Sequence, residues 1–400
     1  SRRLGDVYKR QDKCRCFCTF VSFKEEQILM KKIQMVDLQS QYQNIKSAVD
    51  SSIQNVIESA AFINGPSVKD FQTKLEEYLG VKHVIPCGNG TDALQVALMA
   101  LGLEQDDEVI TADFTFAATV EVINLLGLKS KLVDVDYETF TIDTDRLKAA
   151  ITPKTKAIIP VHLFGQCANM DAILEIAKEH NLYVIEDTAQ AIGAKYKGKS
   201  AGTIGDIGCT SFFPSKNLGC YGDGGAIFTN NDELAHKMRG IVNHGMYKRY
   251  YHDEIGVNSR LDSIQAAVLG VKLPHLDSYN AARQKAASFY NKAFEEIDEL
   301  LTPVLADDST HVFHQYTLRV MNGKRNDLQA FLAEKEIPAM IYYPVPLRKQ
   351  KAYDNGSYAD EEFPNTNRLI NEVISLPMHT ELTDEQLTYI TESVKEFFAQ

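Results

Sequence analysis

The sequence predicts an α/β protein with a large, mostly parallel β-sheet and a smaller α+β domain at its C-terminal end. Between residues 80 and 230, short apolar runs alternate with amphipathic helical segments, a pattern that favours parallel strands joined by helices. Polar or glycine-rich turns follow several of these runs, at the points where open α/β sheets bind ligands. Beyond Gly270 the predicted strands become short and scattered. We therefore expect a large domain over residues 30–270 and a small one over residues 271–400.

Residues 1–29 are predicted to be a disordered leader outside both domains. The segment begins without Met and does not resemble an evolved domain. It also lacks the charged start, apolar core and small-residue cleavage site of a signal peptide. Met30 or Met35 is the expected natural start of the chain.

Two helices are predicted at the start of the large domain. Apolar residues recur at three- and four-residue steps over residues 36–61, and the same spacing continues over residues 68–79. A Gly-Pro pair, Gly65 and Pro66, separates the two segments and predicts a break between the helices.

A possible anion site follows the first predicted strand, residues 83–86. Gly88 and Gly90 give the backbone freedom, Thr91 supplies a hydroxyl group, and a helix with one apolar face begins there. Unpaired amide groups and the positive end of the helix dipole favour phosphate at such a point. The signal is weak on its own, because most glycine-rich turns are only turns.

Further apolar runs continue the alternation of strands and helices. The runs are residues 108–111, 131–134, 156–161 and 182–185, with helices expected near residues 143–150 and 169–180. The last run ends in Glu186 and Asp187, so a carboxylate is expected at the C-terminal end of a strand.

Lys216 is the residue around which the other motifs are arranged. An apolar run over residues 209–213 predicts a buried strand, Pro214 ends it in a polar turn, and a second strand is expected over residues 226–229. A lysine held at a strand end can form a Schiff base with an aldehyde when apolar surroundings or neighbouring cations remove its proton. Most lysines are solvated surface residues. Asp187, however, supplies a carboxylate upstream of Lys216, and an aldehyde cofactor with a protonated pyridine ring would require such an anion at its nitrogen.

Five separated motifs carry a resemblance to a known family. They are NGTDAL at residues 89–94, EDTAQAIGA at 186–194, SFFPSKNLGCYGDGGA at 211–226, GVNSRLDSIQAA at 256–267 and YYPVPL at 342–347. With these motifs the chain resembles the pyridoxal-phosphate-dependent sugar aminotransferases of the DegT/DnrJ/EryC1/StrS family. Within the family it is most similar to transaminases that aminate C3 of UDP-linked 2-acetamido-2-deoxy-3-keto-glucuronic acid.

The resemblance implies a fold type I, or aspartate aminotransferase-like, architecture with a seven-stranded sheet. It also implies pyridoxal 5'-phosphate as cofactor, held by Lys216 as a Schiff base, with Asp187 as the second catalytic residue at the ring nitrogen. Five more implied contacts lie within one subunit: Gly90, Thr91 and Ser211 at the phosphate, Phe116 on the ring face and Gln190 at the phenolic oxygen. Phe114 is the expected core aromatic beside Phe116.

The family also implies a homodimer with shared active sites. Asn258 matches a family residue that reaches the cofactor phosphate of the neighbouring subunit. A site completed from a second chain requires the dimer.

Substrate contacts are expected in two segments. The sequence HGMYKRYYH at residues 244–252 is basic and aromatic, and is either a solvated loop or a contact for an anionic sugar nucleotide. Arg249 is our candidate for a uronate carboxylate, because guanidinium can bind carboxylate through two parallel hydrogen bonds. Tyr342 and Tyr343 are the other candidates. Related enzymes often carry histidines where this chain has Tyr342 and Arg348, which leaves the sugar ring undecided.

The predicted reaction is transamination of a nucleotide-linked ketosugar, with L-glutamate as amino donor, for a surface polysaccharide such as O-antigen. The alternatives are a dTDP-3-keto- or 4-keto-6-deoxyhexose substrate, a sugar dehydratase and a non-catalytic regulatory homologue. Lys216 argues against the dehydratase, since such relatives carry histidine at that position. The presence of both Lys216 and Asp187 argues against the regulatory homologue.

Composition argues against nucleic acid and anionic membranes as partners. The formal net charge is -12, whereas both of these partners select basic patches. Three of the seven cysteines, Cys14, Cys16 and Cys18, cluster without downstream partners, so we predict no metal site. Reduced thiols and the lack of a long apolar run indicate a cytoplasmic protein.

Overall fold

The structure is a computed structural model that describes residues 31–400. The predictions for residues 1–29, for Met30 as the start and for the cysteines at residues 14–18 lie outside the described residues. Lys32–Gln400 form one compact unit. The division expected at residue 270 stays a prediction.

Within the described residues the chain forms fourteen β-strands, four of which are only two residues long. In chain order they are β1 His83–Cys87, β2 Glu108–Ala112, β3 Lys129–Val133, β4 Thr155–Ile159, β5 Tyr183–Asp187, β6 Lys195–Tyr196, β7 Lys199–Ser200, β8 Ile207–Ser211, β9 Gly225–Thr229, β10 Met246–Lys248, β11 Tyr251–His252, β12 Leu300–Leu301, β13 Tyr316–Val320 and β14 Val373–Leu376.

The same part of the chain forms twelve α-helices. In chain order they are α1 Leu38–Ser59, α2 Pro66–Leu79, α3 Gly90–Leu101, α4 Ala118–Leu125, α5 Thr144–Ala150, α6 Met170–His180, α7 Asp232–Ile241, α8 Ser263–Lys272, α9 Leu276–Phe294, α10 Arg325–Glu334, α11 Pro364–Glu372 and α12 Asp384–Phe398.

Seven strands form the large sheet, in the order β1-β9-β8-β5-β4-β2-β3. Each neighbouring pair from β8 to β3 is parallel, whereas β9 runs antiparallel to both β8 and β1. The predicted α/β fold with a large, mostly parallel seven-stranded sheet is therefore confirmed.

Apolar side chains cover both faces of the large sheet. Successive residues of a strand point to opposite faces, and here they join different core clusters: Ile158 packs with Phe114 and Ile173, whereas Ile159 packs with Leu94 and Met238. Burial on both faces explains why the strands are continuous apolar runs in the sequence. The buried sheet is a rigid support for the side chains at its edge.

The C-terminal ends of β5 and β8 lie at the same edge of the sheet. Asp187 is the last residue of β5, and Ser211 is the last residue of β8. Strand β9 returns antiparallel and pairs Gly225 with Ser211, so the chain between them forms a closed, hairpin-like connection. Lys216 lies in this connection, in agreement with the predicted strand-turn-strand pattern.

A second, three-stranded sheet forms near the C-terminal end of the chain, in the order β12-β13-β14, with antiparallel pairing. Helices α9, α10 and α12 supply buried apolar residues to the core that covers it. The segment after α10 then returns to the large sheet, where the Leu347 N–H donates to the Asp113 carbonyl oxygen at 3.0 Å. This return brings Tyr342 and Tyr343 to the edge that holds Asp187.

The predicted start of α2 agrees with the structure, and α12 begins at a well-defined cap. Gly65 caps α2 and Pro66 is its first residue, as expected for the Gly-Pro break. The Thr383 hydroxyl accepts from the Gln386 N–H, and the Gln386 side chain accepts from the Thr383 N–H, which is a capping box at the start of α12. Across residues 31–400, none of the helices combines the length and apolar character needed to cross a bilayer.

Candidate active site

A cavity of about 620 Å³ lies at the C-terminal edge of β5 and β8. The start of α3, the loop before α4, the turn after β8 and two segments from the C-terminal third of the chain form its wall. Among the lining residues are Gly90, Thr91, Thr115, Phe116, Asp187, Gln190, Ser211, Lys216, His314, Tyr342 and Tyr343. The cavity therefore collects seven of the eight residues predicted for cofactor binding or catalysis, together with the predicted substrate contacts Tyr342 and Tyr343.

Lys216 projects into this cavity from the turn after β8. Its N–H donates to the Phe213 carbonyl oxygen at 2.8 Å, which closes the turn. Burial of the amine lowers the pKa of Lys216 to about 8, while the negative charge of Asp187 opposes that shift. About a tenth of the side chain is thus an uncharged amine at pH 7, far more than for an ordinary lysine with a pKa of about 10.4, and a nucleophilic lysine requires this form.

Asp187 is buried beneath the cavity and is held by two donors. The Thr119 hydroxyl donates to Oδ2 at 3.0 Å, and the Ala189 N–H donates to Oδ1 at 3.1 Å. Burial raises the pKa of Asp187, and the two hydrogen bonds together with the positive charge of Lys216 act in the opposite direction. A cation placed above this carboxyl group would be paired and would favour its ionised form.

Glu186 has a structural role that differs from the role of its neighbour. Its carboxylate accepts hydrogen bonds from the N–H groups of Gly202, Ile204 and Gly205, at 2.9, 2.7 and 2.6 Å. It also lies 2.9 Å from Nε2 of His162. Neither Glu186 nor His162 has exposed surface. Of the two adjacent acids, only Asp187 lines the cavity.

The start of α3 lies against the end of β8. A side chain at Gly90 would bring its Cβ within 2.7 Å of the Ser211 Cβ, so only glycine allows this approach. The Asn89 side chain caps α3 by accepting from the Asp92 N–H at 2.8 Å. The Ser211 hydroxyl accepts from the Phe213 N–H at 3.2 Å and keeps its own proton for an anion.

The two aromatic residues before α4 have different environments. Phe114 is 1% exposed and packs in the core, whereas Phe116 is 58% exposed at the cavity wall. The Phe116 ring lies 6.3 Å from the ring of Tyr343, measured between centroids. Phe116 is thus the residue whose ring face is free to stack, and Phe114 is the core aromatic.

Gln190 links the two sides of the cavity. Its side-chain oxygen accepts from the Phe164 N–H at 2.7 Å, and its amide nitrogen donates to the Tyr343 hydroxyl at 3.2 Å. The amide keeps a second N–H, so a ligand oxygen can be its partner. Burial raises the pKa values of Tyr342 and Tyr343, and both phenols stay protonated donors.

Two predicted residues, Arg249 and Asn258, do not line the cavity of their own chain. Arg249 lies in the turn between β10 and β11, exposed, with its guanidinium group over the Tyr250 ring at 5.0 Å. Asn258 is exposed and bridges to Asn243 at the base of the same hairpin. Within one chain the structure therefore gives neither residue a cofactor or substrate contact.

Arg348, where a histidine was expected from the resemblance, is also outside the cavity. It is 3% exposed and its guanidinium group pairs with Asp113, which is completely buried. It also bonds Asn367, and Asp360 at 3.1 Å. Arg348 fastens the YYPVPL segment to the loop after β2.

Sequence reasoning missed several polar residues at the site. Thr119 orients Asp187, and His314 lies with its Nε2 3.5 Å from the Lys216 Nζ. Thr115 lines the cavity with a buried hydroxyl that has no hydrogen-bond partner within residues 31–400. The hydrophobic pattern of the sequence does not indicate such residues, because only the tertiary fold brings them to the site.

The residues present fit a phosphorylated pyridine aldehyde. The cavity offers a partly deprotonated lysine, a buried carboxyl group and an exposed aromatic face. At Gly90 and Ser211 it also offers a helix start with a hydroxyl donor, which favours a phosphate. The orphaned hydroxyl of Thr115 is consistent with a polar ligand in the cavity.

Comparison with known proteins identifies the family. A sequence profile described as the DegT/DnrJ/EryC1/StrS aminotransferase family matches residues 43–395. The chain belongs to this family. As a member of the DegT/DnrJ/EryC1/StrS family, it is a pyridoxal-phosphate-dependent aminotransferase.

Three relatives illustrate the range of the family. A "pleiotropic regulatory protein" of Geobacillus stearothermophilus is 49% identical over 92% of this chain and 98% of its own length. A UDP-2-acetamido-2-deoxy-3-oxo-D-glucuronate aminotransferase of Pseudomonas aeruginosa is 46% identical over 90% of this chain and 98% of its own length. The crystal structure of ntda from Bacillus subtilis, with bound cofactor PMP, has a TM-score of 0.86 and 31% identity, covering 92% of this chain and 86% of that one.

Proposed function

We propose that this enzyme aminates C3 of UDP-linked 2-acetamido-2-deoxy-3-keto-glucuronic acid, with L-glutamate as amino donor. The observation that carries the proposal is Lys216 and Asp187 in one cavity, in a chain 46% identical to a relative named for that reaction. We further propose that the product serves a surface polysaccharide such as O-antigen. Four free, buried cysteines support a reducing compartment, the cytoplasm: Cys87, Cys167, Cys209 and Cys220.

Lys216 is proposed to hold the cofactor and to move the proton in the reaction. When bound, pyridoxal phosphate supplies an aldehyde that links to amines and a ring that takes up the electrons of a breaking C–H bond. The lowered pKa of Lys216, about 8, suits it to accept a proton from the donor carbon and to return it to the cofactor carbon. The amino group is then passed to the sugar ketone.

Asp187 is proposed to keep the proton on the ring nitrogen of the cofactor. Its two donors, Thr119 and Ala189, orient the carboxylate. Gly90, Thr91 and Ser211 are proposed to bind the phosphate group, Phe116 to stack on the ring and Gln190 to bond the phenolic oxygen. Their common cavity supports these roles.

The nucleotide sugar is proposed to bind across a homodimer with shared active sites. Arg249 and Asn258 are exposed on and beside the β10–β11 hairpin, so a second copy of the chain can receive them. Arg249 would bind the uronate carboxylate of the partner's substrate, Asn258 would bind the partner's cofactor phosphate, and Tyr342 and Tyr343 would contact the sugar from within the cavity.

The alternatives to this proposal are a dTDP-sugar substrate and a purely regulatory role, and different observations bear on each. A dTDP-3-keto- or 4-keto-6-deoxyhexose lacks the carboxylate that Arg249 would bind, and relatives 35% and 39% identical are named as dTDP-sugar transaminases. The 49% identical relative carries a regulatory name. Lys216 and Asp187 in one cavity favour catalysis over a purely regulatory role.

The substrate assignment is tested with the aminated form of the enzyme, prepared by adding L-glutamate. UDP-2-acetamido-2-deoxy-3-keto-glucuronate, its 6-hydroxy analogue and dTDP-3-keto and 4-keto sugars are added separately, and recovery of the visible cofactor absorbance is timed. We expect the uronate to react fastest. A faster reaction with a dTDP sugar would overturn the assignment.

Arg249→Ala tests the carboxylate contact separately. We expect kcat/KM for the uronate to fall roughly 10- to 100-fold, while the rate with the 6-hydroxy analogue changes little. Lys248→Ala, a cation on the same hairpin, is the matched control. Equal losses with both sugars would remove the role proposed for Arg249.

A further inference from the structure

His314 is a buried histidine at the wall of the cavity that holds Lys216. The residue is 5% exposed and lines the cavity. Its Nε2 lies 3.5 Å from the Lys216 Nζ. Its Nδ1 is buried and has no hydrogen-bond partner in the part of the chain that the structure describes.

His162 is a useful comparison, because its ring is fixed at both nitrogens. Its Nδ1 accepts from the Ala168 N–H at 3.1 Å, so its proton is on Nε2, which donates to Glu186. No such partner fixes the ring of His314 through Nδ1 in residues 31–400. Leaving Nδ1 without a partner costs free energy. Among the described residues, Lys216 is the one hydrogen-bonding contact of the His314 ring.

The surroundings of His314 keep its imidazole neutral. Burial lowers the pKa of His314 well below its usual range, and the positive charges of Lys216 and Arg283 act in the same direction. Arg283 donates to the His314 carbonyl oxygen at 3.3 Å. The other titratable groups that line the cavity are Asp92, Asp187, Asp223, Tyr342 and Tyr343. The negative charge that acts on Lys216 is that of Asp187.

We propose that His314 is a catalytic residue whose neutral Nε2 accepts a hydrogen bond from Lys216. This inference rests on the proposed role of Lys216. When Lys216 is protonated, one N–H points to His314 and another can return a proton to carbon. When Lys216 has given that proton away, the amine keeps an N–H on His314. The imidazole itself neither gains nor loses a proton. It stabilises the ammonium form of Lys216, and it directs the lone pair of the uncharged amine into the cavity.

The proposal is tested first on protein without cofactor. The rate of pyridoxal phosphate capture is followed by visible absorbance between pH 6 and 10 for the wild type, His314→Phe and His314→Gln. Without an acceptor the ammonium form loses support, so we expect the apparent pKa of capture to fall by about one pH unit in His314→Phe. The glutamine oxygen can accept the same bond, so His314→Gln should restore the wild-type value.

Reaction with L-glutamate supplies the second readout. We expect the single-turnover rate to fall roughly 10- to 100-fold in His314→Phe, because Nζ is no longer directed. An apparent pKa equal to that of the wild type in His314→Phe would overturn the proposal, whatever the activity. Capture with wild-type absorbance by Lys216→Ala would instead overturn the role proposed for Lys216.

A measurement on the unaltered chain covers the case in which His314→Phe does not fold. In cofactor-free protein with ¹⁵N-labelled histidine, the Nε2 resonance of His314 should titrate with Lys216, at about pH 8. His311, whose pKa burial lowers to about 3, should stay unchanged as the internal control. The His314 transition should vanish in Lys216→Met. A flat His314 signal from pH 6 to 10 would contradict the proposal.

Discussion

Two adjacent acids, Glu186 and Asp187, differ in burial and hydrogen bonding in a way that separates a structural carboxylate from the one proposed to be catalytic. Glu186 accepts from three backbone N–H groups and contacts His162, so its charge is satisfied within the protein. Asp187 has two donors and faces the cavity. The alternation of side chains along β5 sends the two carboxylates to opposite sides of the sheet.

Asp187→Asn should remove activity and leave the fold intact. The amide keeps the size of the side chain but loses the charge that holds a proton on the cofactor ring, so we expect kcat to fall by about 1,000-fold. Glu186→Gln is the matched control, and it should instead lower the unfolding temperature, because an amide cannot replace a carboxylate that accepts several bonds. Turnover and thermal unfolding are measured for both. Equal activity losses would contradict the separation of roles.

Lys216 and Asp187 could be singled out from the sequence because Asp187 ends a buried strand and Lys216 lies in the turn after one. Polar side chains at the ends of strands in such a sheet are expected to face a ligand. Phe116 was distinguished from Phe114 by the resemblance, and the exposures of 58% and 1% agree. His314 and Thr119 were missed, because their contacts join segments distant in sequence and follow only from the packing of the chain.

The turn that carries Lys216 is anchored to α8 by a second buried lysine. Lys272 is 1% exposed, and its Nζ donates to the Gly219 carbonyl oxygen at 2.7 Å. It lies 4.8 Å from the Tyr221 ring centroid and has no carboxylate partner within the described residues. An unpaired buried cation is costly. Its hydrogen bond to Gly219 is consistent with a positioning role at the turn that carries Lys216.

Lys272 makes the free energy of unfolding depend on pH, because burial lowers its pKa from 10.5 to about 8. Between these values the unfolded chain binds more protons than the folded one, so stability rises with pH across the window. Below about pH 8 both states are charged, and the folded state carries the whole cost of about 3 kcal/mol.

Lys272→Met should therefore stabilise the fold and weaken the site. We expect the free energy of unfolding at pH 7 to rise by about 1–3 kcal/mol, a gain that fades as the pH rises toward 10.5. Cofactor should dissociate faster, because the Gly219 carbonyl loses its anchor. Urea unfolding and cofactor release are measured, with the exposed Lys292→Met as control. A variant that is less stable at pH 7 would contradict this account.

The Arg348–Asp113 pair joins the YYPVPL segment to the large sheet. Both side chains are almost fully buried, and burial raises the pKa of Asp113 while Arg348 opposes the shift. Arg348→Met should lower the free energy of unfolding by about 3–5 kcal/mol, because it leaves the carboxylate buried without its partner. Asp113→Asn in the same chain should recover part of the loss. Urea unfolding of both variants decides this, and equal losses would show that the pair is not coupled.

At the element scale, the large-sheet strands lie within two residues of the runs that predicted them, because strands buried on both faces are continuous apolar segments. The β10–β11 hairpin and helix α7 were not predicted. The hairpin is short and exposed, and its polar sequence lacks the period of a half-buried strand. The sequence therefore predicted no secondary structure around Arg249.

At the scale of the whole molecule, large apolar side chains are exposed beside the segment that carries Asn258. Tyr250, in the hairpin, and Ile255, just after it, are 77% and 87% exposed. Phe62 and Ile63 are 44% and 52% exposed in the loop that bridges to Asp262. A surface of this kind favours a protein partner. It supports the proposed homodimer, in which Asn258 and Arg249 act in the neighbouring subunit.

Shared sites predict complementation between two inactive variants. In a mixed dimer of Lys216→Ala and Asn258→Ala, one site would have an intact Lys216 from one chain and an intact Asn258 from the other. Random pairing should then restore about a quarter of the wild-type activity. Lys216→Ala mixed with Asp187→Asn is the control and should restore none, since both residues belong to one chain's site. Failure of the first mixture, with dimers present, would place Asn258 in its own chain's site or outside catalysis.

The overall fold was predictable because one pattern, apolar runs ending in polar turns, repeats along the large sheet. That pattern could not predict the quaternary structure. A residue that contacts a neighbouring chain has the same local sequence pattern as a solvated surface residue. Only the resemblance gave Asn258 a role, and its exposed position leaves that role to experiment.

The role proposed for Lys216 is decided by finding which lysine holds the cofactor. Holoenzyme is reduced with borohydride, digested and analysed by mass spectrometry for the phosphopyridoxyl group. Lys272 makes the test stringent, because burial lowers the pKa of both lysines to about 8. We predict label on Lys216, and its loss when L-glutamate is added before reduction. Label on Lys272, or label on Lys216 that L-glutamate does not remove, would contradict the account.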